Sequence, residues 1–206
     1  MGKNNKDRED EHDDELFSMD VDWWHNACLD PFHADWYVYI EGYKRAAKVL
    51  VEQVKKNRSD LDVLVYPIVF LYRQYMELLL KSIISNGRKL LDQSGEFPKH
   101  HRLDKLWVEA RRILEEVYKG DPREELDEIQ DYINQFCGKD PIGSAFRYPT
   151  NLEGKKSLPG LTHINIRKFS DIVEKAAFLI EGASMGIDEY LAWKMEMESE
   201  YRHGYY

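Results

Sequence analysis

The segment that most constrains the fold is VYPIVFLYRQYMELLLKSII, residues 65–84, in which apolar side chains occupy most positions. Three charged residues interrupt it at steps of four: Arg73, Glu77 and Lys81. Residues four apart lie on one face of an α-helix, so these three form a single narrow row on an otherwise apolar helix. A helix this apolar is mostly surrounded by neighbours, and we expect it at the centre of the fold with the row only partly wet.

Two interpretations of this charged row stay open. The row is either a solvated or partly buried structural set of ion pairs, or one wall of a groove shared with other polar segments. Exposed ion pairs would each contribute well under about 1 kcal/mol. If the row is buried, removing one member costs about 3–5 kcal/mol with or without a chemical role.

Apolar residues recur at helical spacing in five segments: 34–57, 59–87, 102–120, 122–140 and 164–202. Asn86–Gly87 is a helix-ending pair, so we expect the second helix to end there, whereas Pro67 marks its first turn or a kink. No segment shows the two-residue alternation of a strand. The sequence therefore predicts an all-α fold with a long C-terminal helix.

Acidic residues are concentrated near the N-terminus. Residues 6–15, KDREDEHDDE, hold seven acids and two bases, whereas the whole chain has a net charge of −9. We expect residues 1–19 to be a disordered tail that precedes a single helical domain, residues 20–206. Alternatively, the acids imitate nucleic acid or shield a basic site. The net charge argues against non-specific DNA binding but allows a local basic patch.

Composition also sets an expectation for location. The two cysteines, Cys28 and Cys137, are far apart, and the charged N-terminus does not resemble a signal peptide. The longest apolar run, residues 63–72, falls well short of the roughly 20 residues that a membrane span needs. We expect a cytoplasmic protein with reduced thiols and no membrane partner.

Two non-helical segments carry the side chains best suited to chemistry. His100 and His101 precede a helix, where they either cap and pack or transfer protons and bind phosphate. Arg147 lies between two aromatic residues in the irregular segment 141–161, and it either docks that segment by a cation–π contact or binds phosphates and bases. The candidate groove therefore comprises Arg73, Glu77, Lys81, His100, His101, Arg147 and Tyr148.

No metal or cofactor is expected. His25, Cys28 and His33 lack an evident fourth ligand and do not have the spacing of a zinc finger. No phosphate-binding loop, dinucleotide glycine fingerprint or Ser–His–Asp signature is present.

Aromatic residues are dense at the start of the helical region. We expect them to be core or dimer-interface residues, and a base-stacking platform is the alternative. The set comprises Trp23, Trp24, Trp36, Tyr37, Tyr39 and Tyr43.

Four segments occur in an order that resembles the HEPN-like superfamily, helical domains of bacterial and phage toxin–antitoxin, defence and RNA-cleaving systems. They are YVYIEGYKRAAKVLVEQV, LVYPIVFLYRQYMELLLKSII, KHHRLDKLW and SAFRYPTNLEG, within about residues 34–200. Many members have a helix with E-x-x-L-K followed by His-x-Leu, and the FRYP segment, residues 146–149, is similar to a feature of one branch. The matching residues here are Glu77, Leu80 and Lys81, then His101 and Leu103.

This resemblance implies an up-down bundle of four to five helices, usually homodimeric. In active members an Arg-x4–6-His motif supplies metal-independent ribonuclease chemistry: the arginine stabilises phosphate charge and the histidine handles protons. No histidine of this chain has an arginine five to seven residues before it, and Arg202 and His203 are adjacent, which is not that arrangement.

Three hypotheses for function follow. The chain is a non-enzymatic or degenerate HEPN-like module that binds RNA or a partner protein, in a bacterial defence or mobile-element context. Alternatively, it is a metal-independent ribonuclease whose site is rearranged around Arg73, Glu77, His101 and Arg147. A sensor of a small nucleotide is the third hypothesis.

Overall fold

The computed structural model describes residues 16–29, 35–94, 98–120 and 123–203, so the acidic residues 6–15 lie outside the described part of the chain. Residues 1–34 form one unit, in which the only described helix is a short 3-10 turn, Trp23–His25. Trp23 and Trp24 are exposed, so of the two predicted roles, core or dimer interface, they do not have the first, and the second stays a prediction. Local polar contacts hold this segment instead, such as the hydrogen bond from the Asp20 backbone N–H to Asn26 Oδ1 at 3.0 Å.

The second unit, Asp35–Tyr206, contains five α-helices and no strand among its described residues. They are α1 (Trp36–Lys56), α2 (Leu61–Leu90), α3 (Leu103–Val117), α4 (Glu124–Cys137) and α5 (Ile166–His203). The predicted all-α fold with a long C-terminal helix is confirmed, since α5 has 38 residues.

The helix α2 is the hub of this unit because it packs against α1, α3 and α5. Its buried residues include Ile68, Leu80 and Ile83, which are fully enclosed. Pro67 lies inside α2, beyond its first turn. By length and composition alone, the segment Arg58–Leu90 could cross a membrane, a test that the core helix of a soluble protein also passes.

The second helix does not end at Asn86–Gly87 as predicted but continues to Leu90. Gly87 lies against α3, where an added Cβ would overlap the side chain of Ile113. The glycine therefore allows α2 and α3 to approach closely and does not end the helix.

Polar contacts fix α1 and α5 against α2. The hydroxyl of Tyr72 donates to Glu174 at 2.6 Å, and that of Tyr75 donates to Glu181 at 2.6 Å. Burial and the neighbouring carboxylates raise the pKa of both tyrosines. Lys44 of α1 also donates to Glu181, at 2.6 Å, so one carboxylate joins three helices.

Of the aromatic residues predicted for a core or interface, those on α1 divide by helix face. Tyr37 and Tyr39 are exposed, whereas Trp36 and Tyr43 are partly buried against the core. Tyr37 and Tyr39 are therefore not core residues, and their predicted place in a dimer interface stays a prediction.

Candidate functional site

The charged row of α2 is buried. Arg73, Glu77 and Lys81 have relative exposures of 2%, 1% and 4%. The expectation of a solvated or partly wet row is wrong because the chain around His101 and Asp140 folds onto it. Sequence spacing placed the three residues on one face but did not show what would cover that face.

The Glu77 carboxylate is the centre of this cluster. Its Oε2 accepts a hydrogen bond from Arg73 Nη1 at 2.9 Å, and its Oε1 lies 2.9 Å from Lys81 Nζ. Oε1 also accepts a hydrogen bond from His101 Nδ1 at 2.7 Å. Burial opposes ionisation, but the hydrogen bonds from Lys81, His101 and Arg73 outweigh it and hold the pKa of Glu77 below its ordinary value. Glu77 is therefore an ionised carboxylate at neutral pH.

The Arg73 guanidinium ties two distant segments to α2. Its Nη2 donates to the carbonyl oxygen of His101 at 2.6 Å, and its Nε donates to that of Asp140 at 3.4 Å. Nε also lies 3.7 Å from Asp140 Oδ2. Because its donors are used inside the fold, Arg73 positions the two segments and does not itself bind phosphate.

The segment after α4 is shaped to fit this guanidinium. The buried Asp140 accepts backbone hydrogen bonds from Ser144 at 2.8 Å and Ala145 at 3.0 Å, which closes a tight turn. Within the turn, Gly143 has a φ of 79°, and a Cβ there would lie 2.5 Å from Arg73 Nη1. Only glycine suits this position. Asp140 was not among the predicted site residues, although Asp-Pro-x-Gly is a typical turn sequence that could have indicated it.

Arg147 comes just after this turn in the chain, and the turn holds its side chain. Its Nε donates to the carbonyl oxygen of Gly143 at 2.8 Å. The guanidinium carbon lies 5.6 Å from the ring centre of Phe70 and 5.3 Å from that of Tyr148, so a cation–π contact docks this segment on α2. Arg147 and Tyr148 nevertheless remain exposed, which leaves both residues open to a ligand.

His101 combines a buried anchor with an exposed ring. Its side chain is 66% exposed while Nδ1 hydrogen bonds to the buried Glu77. Nε2 makes no hydrogen bond within the described residues. A carboxylate that fixes one ring nitrogen while the other faces outward is the arrangement of a positioned general base or acid.

The neighbouring His100 behaves differently. It is half-buried, and its Nδ1 is enclosed with no hydrogen-bond partner among the residues that the structure describes. His100 therefore lies outside the hydrogen-bonded Glu77 cluster. Of the two histidines, His101 is the one placed for chemistry.

The two segments that meet at Arg73 are locally basic in an acidic protein. Residues 98–105 contain three lysines or arginines and one acidic residue. Residues 139–156 contain four lysines or arginines and two acidic residues. Arg102 is partly neutralised by Asp104, with which it shares hydrogen bonds of 2.5 and 3.0 Å, and Lys155 is partly neutralised by Glu153 at 2.7 Å. The remaining cations lower the electrostatic cost of bringing a polyanion to this surface.

Comparison of the chain with protein-family models, with curated proteins and with solved structures found no match. The resemblance to the HEPN-like superfamily therefore remains a prediction from the four segments. In the part of the chain that the structure describes, no group of three or more His, Cys, Asp or Glu side chains is placed to hold a metal ion. His25, Cys28 and His33 were considered above as a zinc site, and His33 lies outside the described residues.

Proposed function

We propose that this chain is an RNA-binding module of the HEPN-like type. Its site is the RNA face, defined as His101, Arg147 and Tyr148. The observation that carries the proposal is the double anchor at Arg73, which hydrogen bonds to the carbonyls of His101 and Asp140 at 2.6 and 3.4 Å. This anchor holds an exposed imidazole and an exposed arginine–tyrosine pair on segments about 40 residues apart in the chain.

The chemistry of the RNA face suits a single strand. An arginine binds phosphate oxygens through its planar fork of donors, and an adjacent exposed tyrosine offers a ring on which a base can stack. Unpaired bases can reach such a ring, whereas bases in a duplex are already stacked. The overall charge of −9 disfavours non-specific binding to duplexes, so a compact local site is the mode that fits this chain.

Anisotropy of a fluorescent single-stranded RNA, titrated with the full chain, tests this proposal. We expect Arg147→Ala and Tyr148→Ala to weaken binding about tenfold each, since one stacked base contributes roughly 1–3 kcal/mol. The matched control is Lys155→Ala, which removes an exposed cation paired with Glu153 at 2.7 Å in the same segment. It should change affinity less than about twofold.

The proposal would be contradicted if the chain bound no RNA, or if all three variants weakened RNA binding equally. That result would favour the partner-protein form of the module. Circular dichroism of each variant separates a lost contact from a lost fold.

RNA cleavage without a metal is a second candidate function, favoured by the 2.7 Å contact between Glu77 Oε1 and His101 Nδ1. In this reaction His101 Nε2 takes the proton of a ribose 2′-hydroxyl, whose oxygen attacks the adjacent phosphorus. The bond to the 5′-oxygen breaks, and that oxygen receives a proton, which leaves a 2′,3′-cyclic phosphate and a 5′-hydroxyl. Arg147 stabilises the added negative charge at phosphorus.

Incubation of the full chain with labelled RNA in EDTA tests for cleavage. His101→Ala should abolish product formation while RNA still binds, and a substrate with 2′-deoxyribose at the cleaved position should remain intact. Cleavage that survives His101→Ala would exclude this mechanism.

Assembly and location are part of the same proposal. The family resemblance favours a homodimer in the cytoplasm of a bacterium, in a defence or mobile-element context. Analytical ultracentrifugation measures the oligomeric state directly. A nucleotide retained through purification would instead support the small-molecule sensor.

A further inference from the structure

A second surface of the helical unit has the form of a docking groove. It encloses about 520 Å³ and is lined by residues of α1, α2 and α5. Its apolar lining includes Ile40 of α1, Leu79 of α2 and Leu191 of α5. The groove residues of α2 lie on a different face of that helix from Arg73, so this surface is separate from the RNA face.

The rim of the groove exposes large apolar side chains. Tyr37 of α1 and Met185 and Met195 of α5 line it and are each more than half exposed, Met185 at 71%. Contiguous apolar surface of this kind marks interaction sites, and methionines adapt to the shape of a partner.

The charged residues of the groove are mostly acidic. Asp35, Glu41, Glu181 and Asp188 line it, and among the described residues Lys44 is the one cation in its lining. Lys44 already donates to Glu181 at 2.6 Å. The groove therefore presents a net negative surface beside its apolar rim.

Asp188 is a groove acid whose hydrogen-bond partner carries no charge. Its carboxylate accepts a hydrogen bond from the neutral amide of Asn86 at 2.7 Å. Partial burial raises its pKa, the bond from Asn86 opposes that shift, and the negative charge of Asp35 adds to it. A cation brought by a partner would relieve this repulsion.

We propose that this groove binds an amphipathic helix of a partner protein. The apolar stripe of that helix packs on Met185, Met195 and Tyr37, and lysines or arginines along its edge face Asp35 and Asp188. Charge complementarity selects this occupant, because a second copy placed by a two-fold axis would set these acids against each other. The same argument excludes the acidic residues 6–15 of the chain. This proposal does not depend on RNA binding at the other face.

Two designed helical peptides test the groove. Both carry leucines at i, i+3, i+4 and i+7; one has lysines and the other glutamates at the remaining exposed positions. Fluorescence anisotropy with the full chain should show at least tenfold tighter binding of the lysine peptide at 150 mM salt. Met185→Lys should weaken that binding at least tenfold.

Phe178→Lys is the matched control for Met185→Lys. Phe178 is also an exposed apolar residue of α5, it does not line the groove, and its replacement adds the same charge. It should leave affinity within about twofold. Equal weakening by both variants would show general attraction to an acidic protein and would overturn the proposal. So would a dimer in analytical ultracentrifugation that Met185→Lys, but not Phe178→Lys, dissociates, since the groove would then hold a second copy.

Discussion

Replacement of Glu77 by glutamine tests the buried cluster most sharply. Glu77 is 1% exposed, and its carboxylate contacts Arg73, Lys81 and His101 at 2.7–2.9 Å. Glutamine keeps the volume and one acceptor oxygen but removes the charge. Arg73 then keeps Asp140, whose Oδ2 is 3.7 Å from its Nε, whereas Lys81 loses the carboxylate that lies 2.9 Å from its Nζ.

The expected loss of stability follows from this geometry. Breaking a buried ion pair from one side costs about 3–5 kcal/mol, because the remaining charges stay desolvated without compensation. With a urea m-value of about 2 kcal/mol/M, the unfolding midpoint falls by about 2 M. The assay is urea denaturation followed by circular dichroism, with the m-value compared between variants.

Glu153→Gln is the control for this experiment. It removes the same charge from an exposed pair with Lys155, and it should cost less than about 1 kcal/mol. A Glu77→Gln midpoint no lower than that of Glu153→Gln would refute the view that the row is a closed, mutually dependent cluster.

If Glu77→Gln does not fold, an apolar replacement of the whole row keeps the reasoning testable. The variant Arg73→Met, Glu77→Leu, Lys81→Met, Asp140→Asn removes the charge of the row together with that of the buried Asp140, so it should fold and lose less stability than Glu77→Gln. It should nevertheless lose RNA affinity, because Arg73 no longer anchors the His101 and Asp140 segments.

Three further outcomes are expected. The pKa of Glu77 is held below its ordinary value of 4.5, so its stabilising contribution is present above that pH and is lost as the pH falls further. The difference in stability between the natural chain and Glu77→Gln, measured by urea denaturation, should therefore shrink as the pH falls below about 4.5. Gly143→Ala should destabilise by more than Gly154→Ala and reduce RNA affinity: both glycines have positive φ, but only at Gly143 would a Cβ meet Arg73. In thermal melts, Gly87→Ala should cost about 1–3 kcal/mol through its overlap with Ile113, whereas Gly42→Ala, with open space around it, should stabilise by about 0.5–1 kcal/mol.

The helices could be predicted from the sequence because their apolar spacing is local information. Each predicted boundary lies within three residues of the observed one, and at the end of α2 the difference has a tertiary cause. Asn86–Gly87 is typical of a helix end, yet α2 continues through it, and Gly87 lies where an added Cβ would overlap Ile113 of α3. Local propensity is overridden in such places by packing that the sequence pattern does not contain.

The sequence was enough to predict most residues of the candidate site, but not how those residues pack together. Four-residue spacing put Arg73, Glu77 and Lys81 on one face, and the positions of His101 and Arg147 identified segments worth attention. The burial of the row and the change of Arg73 from a possible ligand to an internal anchor depend on contacts 28 and 67 residues away in the chain. No local signal encodes such contacts.

Photo-crosslinking tests the central claim most directly, namely that the exposed side chains anchored through Arg73 form an RNA-binding surface. The full chain is irradiated with single-stranded RNA that contains 4-thiouridine, and the crosslinked peptides are mapped by mass spectrometry. We predict crosslinks at Tyr148 and in the segment around His101. Crosslinks confined to the acidic groove of α1 and α5, or no crosslinks at concentrations that saturate binding, would contradict the account.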